Sequence, residues 1–195
     1  MTDRELYAPG PASGAQIRQD GEKWTLILVR DLRHPPAMVW QALTDPAQLR
    51  EWAPFDADGS LGTVGTTVKL TTVGAPALHV TETTVTRANA PEVLEYNWGD
   101  HNMRWELEAF GAGTRLTLWT NIGRRFIAMG AAGWHICFDV LDRLLSGTPI
   151  GRIVAGEAMK FGWPRLKLGV RPAVRYRSLR AGHPKSPDPG ARRPV

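Results

Sequence analysis

Residues 126–147 read FIAMGAAGWHICFDVLDRLLSG, and this segment decides the fold because it predicts one long amphipathic helix. It contains no proline, and its large apolar residues fall within roughly 60° of one another at 3.6 residues per turn. A helix of about 20 residues is roughly 30 Å long, enough to cross an entire sheet. The apolar stripe consists of Ile127, Trp134, Phe138, Leu141 and Leu145.

The opposite face of this helix is polar and carries His135, Asp139, Asp142 and Arg143. His135 and Asp139 are four residues apart and can form a hydrogen bond. We expect a solvated or capping pair there, with a proton-transfer dyad at a cavity edge as the alternative. Cys137, the only cysteine, lies on the apolar flank, where we expect a small buried residue rather than a reactive thiol.

Six segments before this helix have the composition or the alternation of strands. Alternating apolar and polar residues are typical of antiparallel strands with one buried and one solvated face. Short turns between consecutive segments predict a meander. The predicted strands are 24–33, 66–73, 78–87, 93–98, 102–109 and 114–121.

Two short helices are predicted directly after the first strand. Pro36 suits a first helical turn, because its missing N–H would have no partner there. The first helix should end near Thr44. Asp45 can cap a second helix that has Pro46 at its first position and Trp52 on its inner face.

These elements predict an α+β fold of the helix-grip kind. A curved antiparallel sheet of six or seven strands would wrap around the long C-terminal helix, with the two short helices after the first strand. We expect a flexible leader over 1–22, the folded domain over 23–163, and a basic, proline-rich, disordered tail over 164–195.

Several motifs, taken in order, resemble the SRPBCC superfamily, which includes the START lipid-transfer domains and the birch-pollen allergen. Within it, residues 24–163 are similar to the family named after the activator of the heat-shock-protein-90 ATPase. The resemblance implies the helix-grip fold and raises the expectation of a chaperone partner in a stress response. It is carried by His34-Pro35-Pro36, Val39-Trp40-Gln41-Ala42-Leu43-Thr44-Asp45-Pro46, Glu95-Tyr96-Asn97-Trp98, Arg104-Trp105-Glu106-Leu107, Gly113-Thr114-Arg115-Leu116 and Gly133-Trp134-His135.

The net charge of +5 is concentrated at the C-terminal end. Residues 1–150 contain 13 Lys and Arg against 17 Asp and Glu, whereas residues 151–195 contain 11 against 2. A mildly acidic body gives no reason to expect specific nucleic-acid binding. No apolar run has the length of a signal peptide or a membrane span, so we expect a cytoplasmic protein.

The chemistry-bearing residues predict a binding site rather than a catalytic one. We find no nucleophilic triad and no histidine pair spaced for a metal, and we expect no cofactor. The predicted wall of an apolar ligand cavity consists of Trp40, Trp52, Val68, Leu70, Tyr96, Trp98, Met103, Trp105, Leu107, Leu118, Trp134, Phe138 and Leu141. Candidate polar contacts are His79, Asn102 and Arg104.

Three functions remain open at this point. The first is a domain that binds a small apolar or aromatic molecule between the sheet and the last helix. The second is an enzyme similar to the polyketide cyclases and aromatases of the superfamily, with Tyr96, His79 and Arg104 as candidate proton donors. The third is a stress-related protein that interacts with a chaperone.

Overall fold

Two antiparallel sheets and one long helix form the fold in a computed structural model, which describes residues 1–10 and 14–169. The strands are β1 Ala15–Asp20, β2 Lys23–Leu32, β3 Phe55–Ala57, β4 Thr67–Thr72, β5 His79–Thr84, β6 Arg87–Asn89, β7 Val93–Trp98, β8 His101–Phe110 and β9 Gly113–Asn121. The α-helices are α1 Pro36–Thr44, α2 Pro46–Trp52, α3 Ile127–Leu145, α4 Ala155–Ala158 and α5 Trp163–Gly169. Short 3₁₀ turns occupy Arg124–Phe126 and Met159–Phe161.

The larger sheet has six strands in the order β1-β2-β9-β8-β7-β6, and every neighbouring pair is antiparallel. Its register aligns one apolar row across four strands. Leu28 lies opposite Leu118, which lies opposite Trp105, which in turn lies opposite Leu94. All four side chains are buried, so this row forms the floor of the concave face.

The smaller sheet has the order β3-β4-β5 and continues into the larger one through Val85 and Thr86. The Val85 N–H still bonds to the Thr66 carbonyl, whereas the Thr86 N–H bonds to the Glu95 carbonyl of β7. The chain therefore changes partner strand between these two residues. This change divides the segment predicted as one strand over 78–87 into β5 and β6.

The predicted pair of short helices is confirmed. The Asp45 carboxylate accepts a hydrogen bond from the Ala47 N–H at 2.7 Å and so caps α2. The indole N–H of Trp52 donates to the Ala42 carbonyl at 3.0 Å, which ties α2 to α1.

The long helix α3 lies across the concave face with its predicted apolar stripe buried. Trp105 at the centre of β8 contacts three aromatic rings. Its ring centroid lies 6.0 Å from that of Trp52 and 5.6 Å from that of Trp134, both edge-to-face, and 6.1 Å from that of Phe138. Sheet, short helices and α3 thus meet at one indole, and the predicted helix-grip class is confirmed.

The structure corrects the prediction of a flexible leader over 1–22. Residues 15–20 pair with β2 as an edge strand, and Tyr7 is buried against the core. The composition concealed this strand because Ile17 is its only buried residue. The predicted tail begins with α5, and residues 170–195 lie outside the described part of the chain.

We expect Trp105→Ala to lower the free energy of unfolding by about 3–5 kcal/mol, because it leaves a cavity where three aromatic rings meet. Urea denaturation would measure this loss. Trp119→Ala is the matched control, since Trp119 lies half-buried on the outer face and bonds to Glu106. A loss from Trp119→Ala as large as that from Trp105→Ala would contradict a core centred on Trp105.

Candidate functional site

A partly open cavity of about 630 Å³ lies at one end of the fold. It is bounded by the end of the sheet where β7 turns into β8, by the N-terminal half of α3, and by residues 153–163. Its walls are mainly apolar. A volume of this size is within the range of sites for small organic ligands, roughly 300–1,000 Å³.

The sheet wall carries both the aromatic surface and the polar groups of the cavity. Trp98 is held by a hydrogen bond from its indole N–H to the Thr72 hydroxyl at 3.0 Å. Its ring centroid lies 5.3 Å from that of Phe55 and 6.2 Å from that of Trp134. His101 and Asn121 contribute polar groups at the same end of the sheet.

The helix wall explains why space remains here. Residues 130–133 of α3 read Gly-Ala-Ala-Gly, directly before the large residues of the apolar stripe. Ile122 packs where a Gly130 side chain would lie, but a Cβ atom on Gly133 would meet no atom within 4 Å. The C-terminal half of α3 therefore fills the concave face, whereas its N-terminal half leaves a gap beside Trp134.

The third wall is the segment 153–163, which contributes Ile153, Val154, Ala158, Met159 and Trp163. Residues 1–10 and the short strand β3 contribute to its position. This wall follows the long helix, so sequence reasoning about the sheet and helix alone did not include it.

Three arginines hold this wall in place. Arg4 donates to the carbonyls of Ile150, Gly151 and Arg152 at 2.5, 2.9 and 3.0 Å, and its guanidinium pairs with Glu157 at 2.8 Å. Arg152 pairs with Asp56 of β3 at 2.8 Å. Arg165 donates to the Pro9 carbonyl at 2.9 Å. Residues 1–10 thus hold the third wall in position through hydrogen bonds and an ion pair.

The structure places three of the predicted cavity residues in the wall: Trp98, Met103 and Trp134. The other predicted wall residues do not line the cavity, because their side chains pack against one another and fill the concave face. Trp40 is partly buried, and the rest are buried in the core. The corrected group is Trp40, Trp52, Val68, Leu70, Tyr96, Trp105, Leu107, Leu118, Phe138 and Leu141.

The predicted polar contacts also lie away from the cavity. Arg104 is on the outer face of β8, where it pairs with Glu95 and Glu106 at 2.9 and 2.6 Å. His79 and Asn102 are exposed. Strand alternation explains the positions of Asn102 and Arg104, since both are neighbours of the inward-facing Met103 and therefore point outward. His79 begins β5, between the exposed residues Leu78 and Val80.

Tyr96 is enclosed in the core rather than facing the cavity. Its hydroxyl accepts a hydrogen bond from the Trp105 indole N–H at 3.2 Å, and burial raises the pKa of Tyr96. The three candidate proton donors Tyr96, His79 and Arg104 therefore do not converge on the cavity. Cys137 does line it, but burial raises the pKa of its thiol to about 12, which keeps the sulfur protonated at neutral pH.

His135 and Asp139 form neither a solvated pair nor a dyad at the cavity; they belong to a buried polar cluster beneath the N-terminal segment. Arg30 of β2 and the Tyr7 hydroxyl both donate to the Asp139 carboxylate at 2.7 Å. A guanidinium only donates, so the His135 Nδ1, 3.2 Å from Arg30 Nη2, acts as the acceptor. The cluster joins three parts of the chain: residues 1–10, β2 and α3.

Across residues 1–10 and 14–169, no group of histidine, cysteine and acidic side chains is arranged to hold a metal ion. Within the same described residues, no helix combines the length and apolar character needed to cross a membrane.

Comparisons with known proteins identify relatives of this fold. A family model described as "Activator of Hsp90 ATPase homolog 1-like protein" matches residues 33–146. No curated protein matches the sequence. Several solved structures share the fold, and three of them illustrate the range.

The structure of a conserved protein of unknown function from Enterococcus faecalis, EF2215, superposes with a TM-score of 0.61 at 17% identity, covering 80% of this chain and 88% of that one. Protein MLL2253 from Mesorhizobium loti gives a TM-score of 0.54 at 25% identity, with 64% and 98% covered. CalU16 from Micromonospora echinospora gives 0.53 at 20% identity, with 78% and 95% covered.

The buried cluster predicts a specific pH dependence of stability. Burial lowers the pKa of His135, partly opposed by Asp139, so the unfolded chain takes up a proton at a higher pH than the folded chain does. The contribution of His135 to stability is therefore complete above about pH 6.5 and is lost as the pH falls below that value.

His135→Gln should reduce the loss of unfolding free energy between pH 7.5 and pH 5.5, as measured by urea denaturation at both values. His79→Gln, at an exposed position on β5, controls for the removal of an imidazole. If both variants kept the acid sensitivity of the parent protein, His135 would not be its source.

Proposed function

Because the chain belongs to the family of Activator of Hsp90 ATPase homolog 1-like proteins, we propose that it binds a small, largely apolar aromatic molecule in the cavity between the sheet and α3. One observation carries the proposal: a cavity of about 630 Å³ remains beside the indoles of Trp98, Trp134 and Trp163 in a fold whose core is otherwise closely packed. Apolar walls with few polar groups are typical of such binding sites.

The walls support binding because they are fixed before a ligand arrives. Trp98 is restrained by Thr72, Phe55 and Trp134. Trp134 is restrained in turn by edge-to-face contact with Trp105. A planar aromatic ligand would contact these indoles without ordering them, and preorganised side chains reduce the entropy lost on binding.

The polar end of the cavity favours a ligand that bears a hydroxyl group. His101 Nδ1 lies 2.9 Å from the Asn121 carbonyl oxygen, which can only accept a hydrogen bond. The Nδ1 atom of a neutral His101 therefore carries the proton, and its Nε2 is left as an acceptor. A phenol placed against Trp98 and Trp134 would donate its O–H to this nitrogen.

Binding is preferred over catalysis because the candidate proton donors are dispersed through the core and the outer faces. A chaperone partner stays a prediction from the family resemblance, since it rests on no specific surface of the described residues. Binding of a small molecule rests on a defined site.

Gly133→Phe should abolish binding of 2-naphthol, because the new ring would occupy the space beside Trp134. Quenching of tryptophan fluorescence during titration would measure the affinity. Leu144→Phe is the matched control, at a partly buried position near the C-terminal end of the same helix. Undiminished naphthol binding by a folded Gly133→Phe protein would contradict the proposed site.

His101→Ala should narrow the preference for 2-naphthol over naphthalene by about fivefold to tenfold, the equivalent of one neutral hydrogen bond of roughly 1 kcal/mol. The same titration with both compounds gives the ratio. His79→Ala removes an imidazole that does not line the cavity and should leave the ratio unchanged. If the ratio of the affinity for 2-naphthol to that for naphthalene were the same in the parent protein and both variants, His101 would not be the hydrogen-bond partner of the ligand hydroxyl.

A further inference from the structure

The rim of the cavity exposes large apolar side chains next to unpaired cations. We call this surface the mouth patch and define it as Arg124, Arg125, Phe126, Met129, Met159 and Lys160. Phe126, Met129 and Met159 are 39%, 39% and 52% exposed. All three also line the cavity, so they lie around one opening rather than being scattered over the surface.

The cations of the mouth patch come from the two elements that flank the opening. Arg124 and Arg125 form the 3₁₀ turn that leads into α3, and Lys160 follows Met159 in the third wall. Within the described residues, none of these three cations takes part in an ion pair. The neighbouring acid Glu157 is already paired with Arg4.

This local charge contrasts with the rest of the fold. Outside the mouth patch, residues 1–169 carry more acids than bases, 18 against 14. The basic, apolar rim is therefore a local feature of a mildly acidic body. It favours a partner with a negatively charged surface and determines which side of the protein faces that partner. Anionic lipid surfaces meet both requirements, since they attract Lys and Arg electrostatically and accept apolar side chains at the boundary with the acyl chains.

We propose that the mouth patch docks on an anionic membrane surface, with Phe126, Met129 and Met159 in the interface and Arg124, Arg125 and Lys160 against lipid phosphates. Docking in this orientation turns the opening of the cavity toward the bilayer. An apolar ligand could then pass between bilayer and cavity without crossing bulk water. The docking itself does not depend on the ligand proposed above.

Co-sedimentation of the full chain with vesicles tests the proposal. We expect binding to vesicles of phosphatidylcholine with about one third phosphatidylglycerol and at least tenfold weaker binding to phosphatidylcholine alone. Phe126→Glu and Met129→Glu should each weaken binding to the anionic vesicles about tenfold or more, because each removes a buried apolar contact and adds a negative charge.

Phe110→Glu is the matched control. Phe110 is 49% exposed and has the Arg115 guanidinium 3.9 Å above its ring, just as Arg125 lies 4.6 Å from the Phe126 ring. Phe110, however, ends β8 at the edge opposite the cavity, and Arg115 is paired with Asp31 at 2.7 Å. The same change of net charge there should leave vesicle binding within about twofold of the parent protein.

Four results would overturn the proposal. The first is an equal loss of vesicle binding by Phe110→Glu and Phe126→Glu, and the second is equal binding of the parent protein to neutral and anionic vesicles. The third is no vesicle binding by the parent protein. The fourth is a concentration-dependent dimer in size-exclusion chromatography that becomes monomeric in Phe126→Glu.

The double variant Arg125→Glu/Lys160→Glu separates membrane docking from ligand binding, since neither residue lines the cavity. It should lose vesicle binding while keeping its affinity for 2-naphthol.

Discussion

The packing of Trp105 against Trp52, Trp134 and Phe138 is the contact on which the other parts of the fold depend. Edge-to-face contacts between aromatic rings have defined geometry, so they fix the distance and angle between the layers that carry them. The short helices reach the centre of the sheet through Trp52, and the long helix reaches it through Trp134. These rings therefore set the distance between α3 and the sheet.

The same contact determines where the fold remains open. The aromatic rings set the separation of α3 from the sheet. Ile122 fills the space next to Gly130, whereas nothing fills the space next to Gly133. Side chains are therefore closely packed on the C-terminal side of Trp134 along α3, and a gap remains on its N-terminal side. Residues 153–163 supply the missing wall, because Arg4 holds the backbone carbonyls of residues 150–152 and Arg152 pairs with the Asp56 carboxylate.

The fold class and the buried face of α3 could be predicted from local periodicity, and the two short helices from Pro36 and the Asp45 cap. The edge strand β1 could not, since its partners in β2 supply the ladder hydrogen bonds while its own side chains are mostly exposed. The cavity residues were predicted less well. Strand alternation and helical spacing identify the residues that face inward. Which of these residues contact one another and which face a gap depends on side-chain packing, which the sequence pattern does not give. Trp98 and Trp105 are indistinguishable by pattern, yet only Trp98 lines the cavity. The small run at 130–133 was the available signal for the gap.

The third wall of the cavity and Arg4, which holds it, lie outside the part of the chain that matches the family model. The region shared with the family ends at residue 146, whereas Arg4 and the segment it holds lie on either side of that region. Substitutions in these two segments would alter the shape of the cavity while leaving the contacts of Trp105 with Trp52, Trp134 and Phe138 in place. The stretch that carries the family resemblance and the stretch that closes the third side of the cavity are accordingly encoded in different parts of the chain.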